Sequence, residues 1–264
     1  MVKGIEKFKK FFEGFEDCYV VIGGTACEIH EELYAQIPRA TKDIDIILIV
    51  EALSHEFVAR FWELVKAAGY EQRNKGTSQG NQRRHEYYRF MKPANTEFPY
   101  QIELFSRNIG LLDFPEDARI TPIPTDDDLS SLSAILMDDD YYSFTIGHSH
   151  VEDGVHIANV ESLICLKCKA FLEMSERKAQ GGQVDGRHIQ KHKKDVLRLA
   201  AMLAPSDRFE DVPQTLKEDV SQFCDKIKWE LPGHDFFKSA GLRNIDGKQI
   251  IGQLKSSFQV HTSD

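Results

Sequence analysis

Apolar side chains recur every three to four residues in two stretches near the start of the chain. One runs from Ile5 to Phe15, and the other starts at Ser54 and closes at Gly69. This spacing puts the apolar side chains on one face of a helix, with Ser54 as an N-cap and Gly69 as a C-terminal stop. The sequence therefore predicts two amphipathic helices packed on a domain.

Between those helices, two stretches rich in β-branched and aromatic side chains predict strands. They are Cys18–Ile22 and Asp43–Val50, of which the second starts with polar alternation and becomes continuously apolar. Thr25 is a good N-cap for a helix that runs through Gln36 and ends at Pro38. The order along the chain is therefore strand, helix, strand, helix.

Several later stretches have the extended pattern of strands. We expect the first three to be successive antiparallel strands and the last two to form a hairpin around Asp153-Gly154. The stretches are Tyr70–Asn74, Glu86–Met91, Tyr100–Ser106, Tyr141–Ile146 and Val155–Ile157. The sheet should therefore be mixed.

After Asn159 the pattern becomes helical. Four stretches have apolar residues at helical spacing: Val160–Lys178, Ile189–Leu203, Thr215–Lys228 and Gln249–Phe258. We expect an α/β (α+β) protein in which a mixed sheet flanked by helices occupies residues 1–158. A C-terminal helical unit occupies residues 159–264.

Composition narrows the class of protein. Hydrophobic residues make up 41% and charged residues 28%, as in an ordinary globular protein, and the net charge of −9 argues against a surface that grips nucleic acid throughout. Apolar runs are too short to span a membrane, and the start does not resemble a secretory signal. We expect a cytoplasmic protein with reduced thiols, in which Cys165 and Cys168 belong to a helix core.

Asp43 and Asp45 are the first candidates for chemistry. Residues two apart in a strand point to the same face, so the two carboxylates lie side by side. Such a pair suits a cation, and hard oxygen ligands favour Mg²⁺ or Mn²⁺ bridging a substrate's phosphates. The alternative is an aspartate pair satisfied by Lys42, Arg39 or solvent.

The Gly23-Gly24-Thr25 turn strengthens the first interpretation. Glycines let the backbone approach phosphate oxygens, and the helix N-terminus that follows favours negative charge. A strand, a glycine turn, a helix and a strand that opens with Asp-x-Asp would put the phosphate site and the carboxylates at one edge of the sheet. The two motifs together are more specific than either alone.

These two segments, Val20–Ala26 and Arg39–Ile46, resemble the signature of the DNA-polymerase-β-like nucleotidyltransferase superfamily. More narrowly, they are similar to its AbiEii/AbiGii-type branch, which is associated with bacterial toxin–antitoxin and phage-defence systems. The resemblance implies that Gly23, Gly24 and Thr25 bind phosphate. It also implies that Asp43 and Asp45 bind metal.

The superfamily also has a third carboxylate on a later strand, and Glu103 is the best candidate for it. Its apolar neighbours Ile102 and Leu104 would face the opposite side of that strand. Many relatives have aspartate there, so Glu103 would bind metal directly, act through water or serve as a base. The alternative is an exposed strand glutamate.

The helical unit carries a second part of the resemblance. Leu163–Phe171 and Lys191–Leu199 look like the paired motifs of the AbiEii-type branch, a lysine on one helix and a Lys/Arg-Asp pair on the next. This implies that Lys167 neutralises triphosphate oxygens and that Asp195 orients Lys167. A solvated helix lysine is the alternative.

The expected reaction moves a nucleoside monophosphate from a nucleoside triphosphate to an acceptor, which by resemblance is tRNA, another protein or a small molecule. For RNA, the basic segment Arg187–Lys194 and a loop with Arg73, Lys75, Arg83 and Arg84 would bind phosphates. A cognate antitoxin is implied by the family alone. Two other classes stay open: a nucleotide-binding protein without turnover, and an interaction protein whose carboxylates are surface charge.

Overall fold

A computed structural model describes residues 2–70, 88–105, 135, 138–242 and 245–260. The protein is α+β, with a mixed sheet and many helices, and it divides into two compact units. Unit 1 comprises Met1–Ala26, Ala40–Pro124 and Ser149–Ile157, and unit 2 comprises Cys27–Arg39, Thr125–His148 and Ala158–Asp264. The units interleave along the chain, whereas the sequence predicts two consecutive domains.

Unit 1 holds the sheet, which has six strands within the described residues. The strands are β1 Tyr19–Ile22, β2 Asp43–Leu48, β3 Tyr88–Met91, β4 Gln101–Phe105, β5 Ser149–Glu152 and β6 Val155–Ala158. Their order is β3-β4-β2-β1-β6-β5. β2 runs antiparallel to β1 and parallel to β4, and β3 runs antiparallel to β4. The predicted mixed sheet is therefore confirmed.

The first three α-helices are α1 Ile5–Phe12, α2 Gly23–Leu33 and α3 His55–Ala68. Of these, α1 and α3 build the aromatic core of unit 1. Phe12 of α1 contacts the rings of Phe57 and Phe61 of α3. As predicted, the Ser54 hydroxyl accepts a hydrogen bond from the N–H of Phe57, and Gly69 ends α3 in the left-handed region.

Helix α2 begins in unit 1 and continues into unit 2. Its predicted extent through Gln36 is wrong, because the helix ends at Leu33. The Gln36 side chain instead donates a hydrogen bond to the carbonyl of Arg198, 3.0 Å away. A tertiary contact therefore replaces the last helical turn.

The predicted strand Tyr141–Ile146 is also wrong. Helix α4, Asp139–Gly147, covers it, because the Asp138 carboxylate accepts hydrogen bonds from the first N–H groups of that helix. The hairpin does turn at Asp153-Gly154, both with positive φ, but it joins β5 to β6. Cap chemistry outweighs the strand preference of the aromatic residues here.

Unit 2 is built mainly from helices that follow the sheet in sequence. They are α5 Val160–Ala179, α6 Gly186–Ala200, α7 Gln214–Ile227, α8 His234–Ser239 and α9 Gly247–Phe258. Helix α5 packs most extensively on α6. Four of these five were predicted, with shifted ends, and α8 is an addition. None of the described helices is long and apolar enough to cross a membrane.

The five cysteines are free thiols and all are buried. Cys165 and Cys168 lie inside α5, as expected for core residues. Parts of the predicted strands Tyr70–Asn74 and Glu86–Met91, together with the basic loop of residues 73–84, lie outside the described residues.

Candidate active site

The glycine turn and the second aspartate are in direct contact in unit 1. Ile22, the last residue of β1, pairs with Asp45 of β2. Gly23 follows with φ +67°, and a Cβ atom added there would lie 1.8 Å from Oδ2 of Asp45. Only glycine leaves room for that carboxylate. The predicted phosphate turn and metal ligand therefore lie at one edge of the sheet.

Thr25 connects the same turn to β2. The sequence predicts Thr25 as the N-cap of α2, which is wrong, because α2 begins at Gly23 and Thr25 lies in its first turn. Its fully buried hydroxyl donates a 2.6 Å hydrogen bond to the main-chain carbonyl of Asp43. Thr25 thus fixes the start of β2 against the start of α2, and Gly24 is buried beside it.

Glu103 lies next to Asp45 on the neighbouring strand. The two residues are direct partners in the parallel β2–β4 pair. Burial, and then the charge of Asp45, raise the pKa of Glu103 to about 8. Glu103 is 6% exposed, so the alternative of a solvent-facing glutamate is wrong.

Two further side chains bind Glu103. Arg89, its cross-strand partner on β3, has Nε 2.8 Å from Oε1 of Glu103. Gln101 donates a second hydrogen bond to the same oxygen. Arg89 opposes the rise in the pKa of Glu103 but does not cancel it. Sequence reasoning missed Arg89, because its pairing with Glu103 depends on the register of β3 on β4.

The carboxylates at this edge of the sheet can be compared with the ligands that a metal ion needs. Within the described residues, no group of three or more His, Cys, Asp or Glu side chains is arranged to hold a metal ion. Asp43 and Asp45 still supply two adjacent carboxylates at the start of β2. Mg²⁺ is commonly held by one or two carboxylates together with substrate phosphates and water. The pair fits such an ion, whereas Glu103 is already bound to Arg89.

In unit 2, Lys167 and Asp195 meet as the sequence predicts. Lys167 of α5 has Nζ 3.2 Å from Oδ2 of Asp195 on α6. Both side chains are buried, at 8% and 2% exposure, so a solvated lysine is excluded. Burial would lower the pKa of Lys167, but Asp195 outweighs it and raises the pKa.

Arg39 shares the same carboxylate. Its Nε lies 3.3 Å from Oδ1 of Asp195, and its side chain is 38% exposed. Burial would raise the pKa of Asp195, but Lys167 and Arg39 together hold it below its usual value. The sequence offers Arg39 as a partner of the Asp43–Asp45 pair; its ion pair is instead with Asp195.

A second buried ion pair lies beside the first in unit 2. Arg198 of α6 has Nε 2.6 Å from Oε1 of Glu31 on α2. The other oxygen of Glu31 accepts a 2.8 Å hydrogen bond from the backbone N–H of Arg39. Arg198 also donates to the carbonyl of Ile37. These contacts, which sequence reasoning missed, hold the segment after α2 in place.

His192 lies on α6 close to Lys167 and Asp195. Burial, and then the charge of Lys167, hold the pKa of His192 well below its ordinary range. Its Nδ1 is buried and has no hydrogen-bond partner among the described residues. The ring is therefore neutral and adds no further positive charge to the Lys167–Asp195 pair.

The basic segment Arg187–Lys194 lies at the start of helix α6, and three of its basic side chains have contacts. Lys193 is buried and donates a hydrogen bond to the carbonyl of Glu230. Exposed Arg187 binds Asp185, the N-cap of α6. Exposed Lys194 lies over the ring of Phe236. That this segment binds RNA phosphates stays a prediction.

No family model matches the chain, and neither a curated protein nor a solved structure matches it significantly. The resemblance to nucleotidyltransferases therefore rests on the sequence motifs alone.

Proposed function

We propose that this protein is a metal-dependent nucleotidyltransferase. It moves a nucleoside monophosphate from a nucleoside triphosphate to an acceptor and releases pyrophosphate. The observation that carries the proposal is the close approach of Gly23 to the Asp45 carboxylate. A Cβ atom added at Gly23 would lie 1.8 Å from Oδ2 of Asp45. This approach brings a glycine turn that opens an 11-residue helix against a strand that opens with Asp-x-Asp.

Each part of this edge suits one part of a bound triphosphate. The first N–H groups of α2 lack partners within the helix and favour negative charge, so the phosphates would lie there. Asp43 and Asp45 would hold Mg²⁺ or Mn²⁺. The ion, when bound, neutralises phosphate oxygens and orients the triphosphate for in-line attack.

The other side chains of unit 1 keep the aspartates in position. Thr25 holds the main chain of Asp43, and Arg89 binds Glu103, the strand partner of Asp45. Burial and the charge of Asp45 raise the pKa of Glu103, so a cation bound at Asp45 would lower that pKa. Glu103 is better placed to hold Asp45 in position than to serve as a third ligand.

The ion pair of Lys167 and Asp195 in unit 2 has a separate place in the proposal. Asp195 holds the positively charged Lys167 in position, and Arg39 binds the same carboxylate. By resemblance, this lysine would contact the triphosphate. That contact stays a prediction.

The acceptor belongs to one of three classes, namely tRNA, another protein or a small molecule. A toxin role in a toxin–antitoxin or phage-defence system, and with it a cognate antitoxin, rests on the resemblance alone.

A nucleotide-binding protein without turnover is the second candidate. It is favoured by one observation, the 2.8 Å contact between Arg89 and Glu103, which engages the candidate for the third carboxylate. In this case a nucleotide with Mg²⁺ would stabilise the protein, and Glu103→Gln would retain that stabilisation.

The first test is transfer of label from each α-labelled nucleoside triphosphate, with Mg²⁺, onto total bacterial RNA and protein. Wild type is compared with Asp43→Asn/Asp45→Asn and with Asp17→Asn, which changes an exposed aspartate of the same unit. Label that appears with wild type and Asp17→Asn, and drops at least 100-fold in the double variant, supports the proposal. Nucleotide binding without transfer favours the second candidate. The absence of both binding and transfer excludes both candidates.

A further inference from the structure

On the β5–β6 hairpin, a serine hydroxyl and a histidine ring form a hydrogen-bonded pair. The Oγ atom of Ser149 lies 2.8 Å from Nε2 of His156. The Nδ1 atom of His156 lies 2.8 Å from the carbonyl oxygen of Glu16. Because a carbonyl oxygen only accepts hydrogen bonds, Nδ1 carries the proton and donates it to Glu16. In the tautomer that this bond selects, Nε2 presents its lone pair to Ser149.

This arrangement is that of an activated nucleophile and its base. A serine hydroxyl is a weak nucleophile unless a base takes its proton, and a third group that orients the base completes the set. Here the Glu16 carbonyl fixes the tautomer and the ring position. Ser149 and His156 are both partly exposed, so an electrophile can approach them.

Two other serines show what an unactivated hydroxyl looks like in this protein. Ser162 is fully buried and donates to the carbonyl of His148. Ser239 is exposed and donates to the carbonyl of Phe236. Neither of these bonds offers a base, because a carbonyl oxygen does not take up the proton at neutral pH. Ser239 is thus a matched surface control.

We propose that Ser149 is a nucleophile activated by His156 and that it accepts a nucleotidyl group, which rests on the proposed function. Its Oγ atom attacks the α-phosphorus of a nucleoside triphosphate. The bond from that phosphorus to the oxygen bridging the β-phosphate breaks, and pyrophosphate leaves with the electron pair. The hydroxyl proton passes to Nε2 of His156.

The order of the strands determines which copy of the protein supplies the triphosphate. Strands β1 and β6 separate β5, which carries Ser149, from β2, which carries Asp45. Three strand-to-strand steps of about 4.8 Å put the two strands about 14 Å apart. In-line attack needs the reacting atoms about 3–3.5 Å apart. The transfer therefore passes from one copy to another.

The test mixes two copies that differ in size. Wild type acts as the donor, and a tagged Asp43→Asn/Asp45→Asn copy acts as the acceptor, with an α-labelled triphosphate and Mg²⁺. We expect label on the acceptor at Ser149, located by peptide mass spectrometry, at a rate that rises with donor concentration. Adding Ser149→Ala to the acceptor should abolish the label, and adding His156→Gln should lower its rate at least 10-fold. Ser239→Ala should leave it unchanged.

A second measurement separates this proposal from the proposed function. A fluorophosphonate probe is a phosphorus electrophile that needs neither metal nor triphosphate, so it tests the activation of Ser149 directly. We expect labelling at Ser149 in wild type that is lost in Ser149→Ala and falls at least 10-fold in His156→Gln. Thermal unfolding of each variant checks that the hairpin stays folded.

Each failure has a different meaning. Absence of probe labelling at Ser149 overturns the activation and with it the proposal. Transfer of label to RNA or another protein, but never to Ser149, overturns the acceptor role and leaves the proposed function intact. Probe labelling at Ser149 without transfer to any acceptor overturns the proposed function and the acceptor role together.

Discussion

Charge is arranged in opposite ways in the two units. In unit 1 two carboxyl groups adjoin: Asp45 and Glu103 are strand partners, and Arg89 binds Glu103. In unit 2 opposite charges meet, because Lys167 and Arg39 both bind the buried carboxylate of Asp195. A carboxyl pair is relieved by a proton or a cation, whereas Asp195 already has two cationic partners. The carboxyl pair of unit 1 can therefore gain or lose a charge, whereas the charged cluster of unit 2 forms a fixed framework.

The largest expected effect breaks the framework of unit 2. Asp195→Ala leaves Lys167 buried without its carboxylate, so we expect a loss of about 4 kcal/mol in the free energy of unfolding. Urea denaturation measures it. The control is Glu63→Gln, which removes the exposed pair with Arg60 and should cost about 0.5 kcal/mol or less. Equal effects of the two changes would contradict the conclusion that the buried pair of Lys167 and Asp195 is a framework of unit 2.

The next prediction concerns the contact that joins glycine and aspartate in unit 1. Gly23→Ala puts a methyl group into the Asp45 carboxylate and also strains a positive φ. Gly14→Ala is the matched control, because Gly14 has φ +83° and an added Cβ meets nothing within 4 Å. We expect Gly14→Ala to cost about 1 kcal/mol and Gly23→Ala about 3 kcal/mol, measured by urea denaturation. Similar costs would show that Asp45 moves away freely.

A smaller effect should appear when pH is varied. The pKa of Glu103 is raised to about 8 in the folded protein from an ordinary 4.5, so the folded state holds a proton that the unfolded state releases. This stabilises the protein fully at low pH, and the contribution is lost as pH rises through about 8. Between pH 5 and 8.5, wild type should lose on the order of 2 kcal/mol more than Glu103→Gln. Parallel curves of the melting temperature would refute this.

The smallest expected effect tests how Asp195 is shared. Arg39 is more exposed than Lys167, so Arg39→Gln leaves the buried pair intact and should cost about 1 kcal/mol. Chemical denaturation of Arg39→Gln and of Asp195→Ala gives the loss in the free energy of unfolding for each variant, and the two losses are compared. A loss as large as that of Asp195→Ala would make Arg39, and not Lys167, the main partner.

Much of unit 1 follows from local patterns. The alternation in Asp43–Leu48 and Gln101–Phe105 predicts the faces of Asp45 and Glu103, because side chains alternate in any strand. The partner of Glu103 was not predictable in the same way. Arg89 reaches it only through the register of β3 on β4, which depends on how distant segments pair.

Local sequence patterns do not determine every contact or element. Arg39, named only in the alternative for the Asp43–Asp45 pair, lies four residues before Asp43 but pairs with Asp195, 156 residues later. Tyr141 and Tyr142 favour a strand by composition, but the cap at Asp138 starts a helix. The acidic residues before Tyr141 were a readable helix start signal, whereas nothing near Arg39 indicates its partner.

The interleaved order of the units has a consequence for synthesis on the ribosome. Glu31 leaves the ribosome long before Arg198, its partner 167 residues later. Arg39 likewise waits for Asp195. Until helix α6 has emerged, these early charges stay in water, and unit 2 cannot close. Contacts so distant in sequence form slowly, so we expect the nascent chain to complete this unit late and to depend on its last helices to do so.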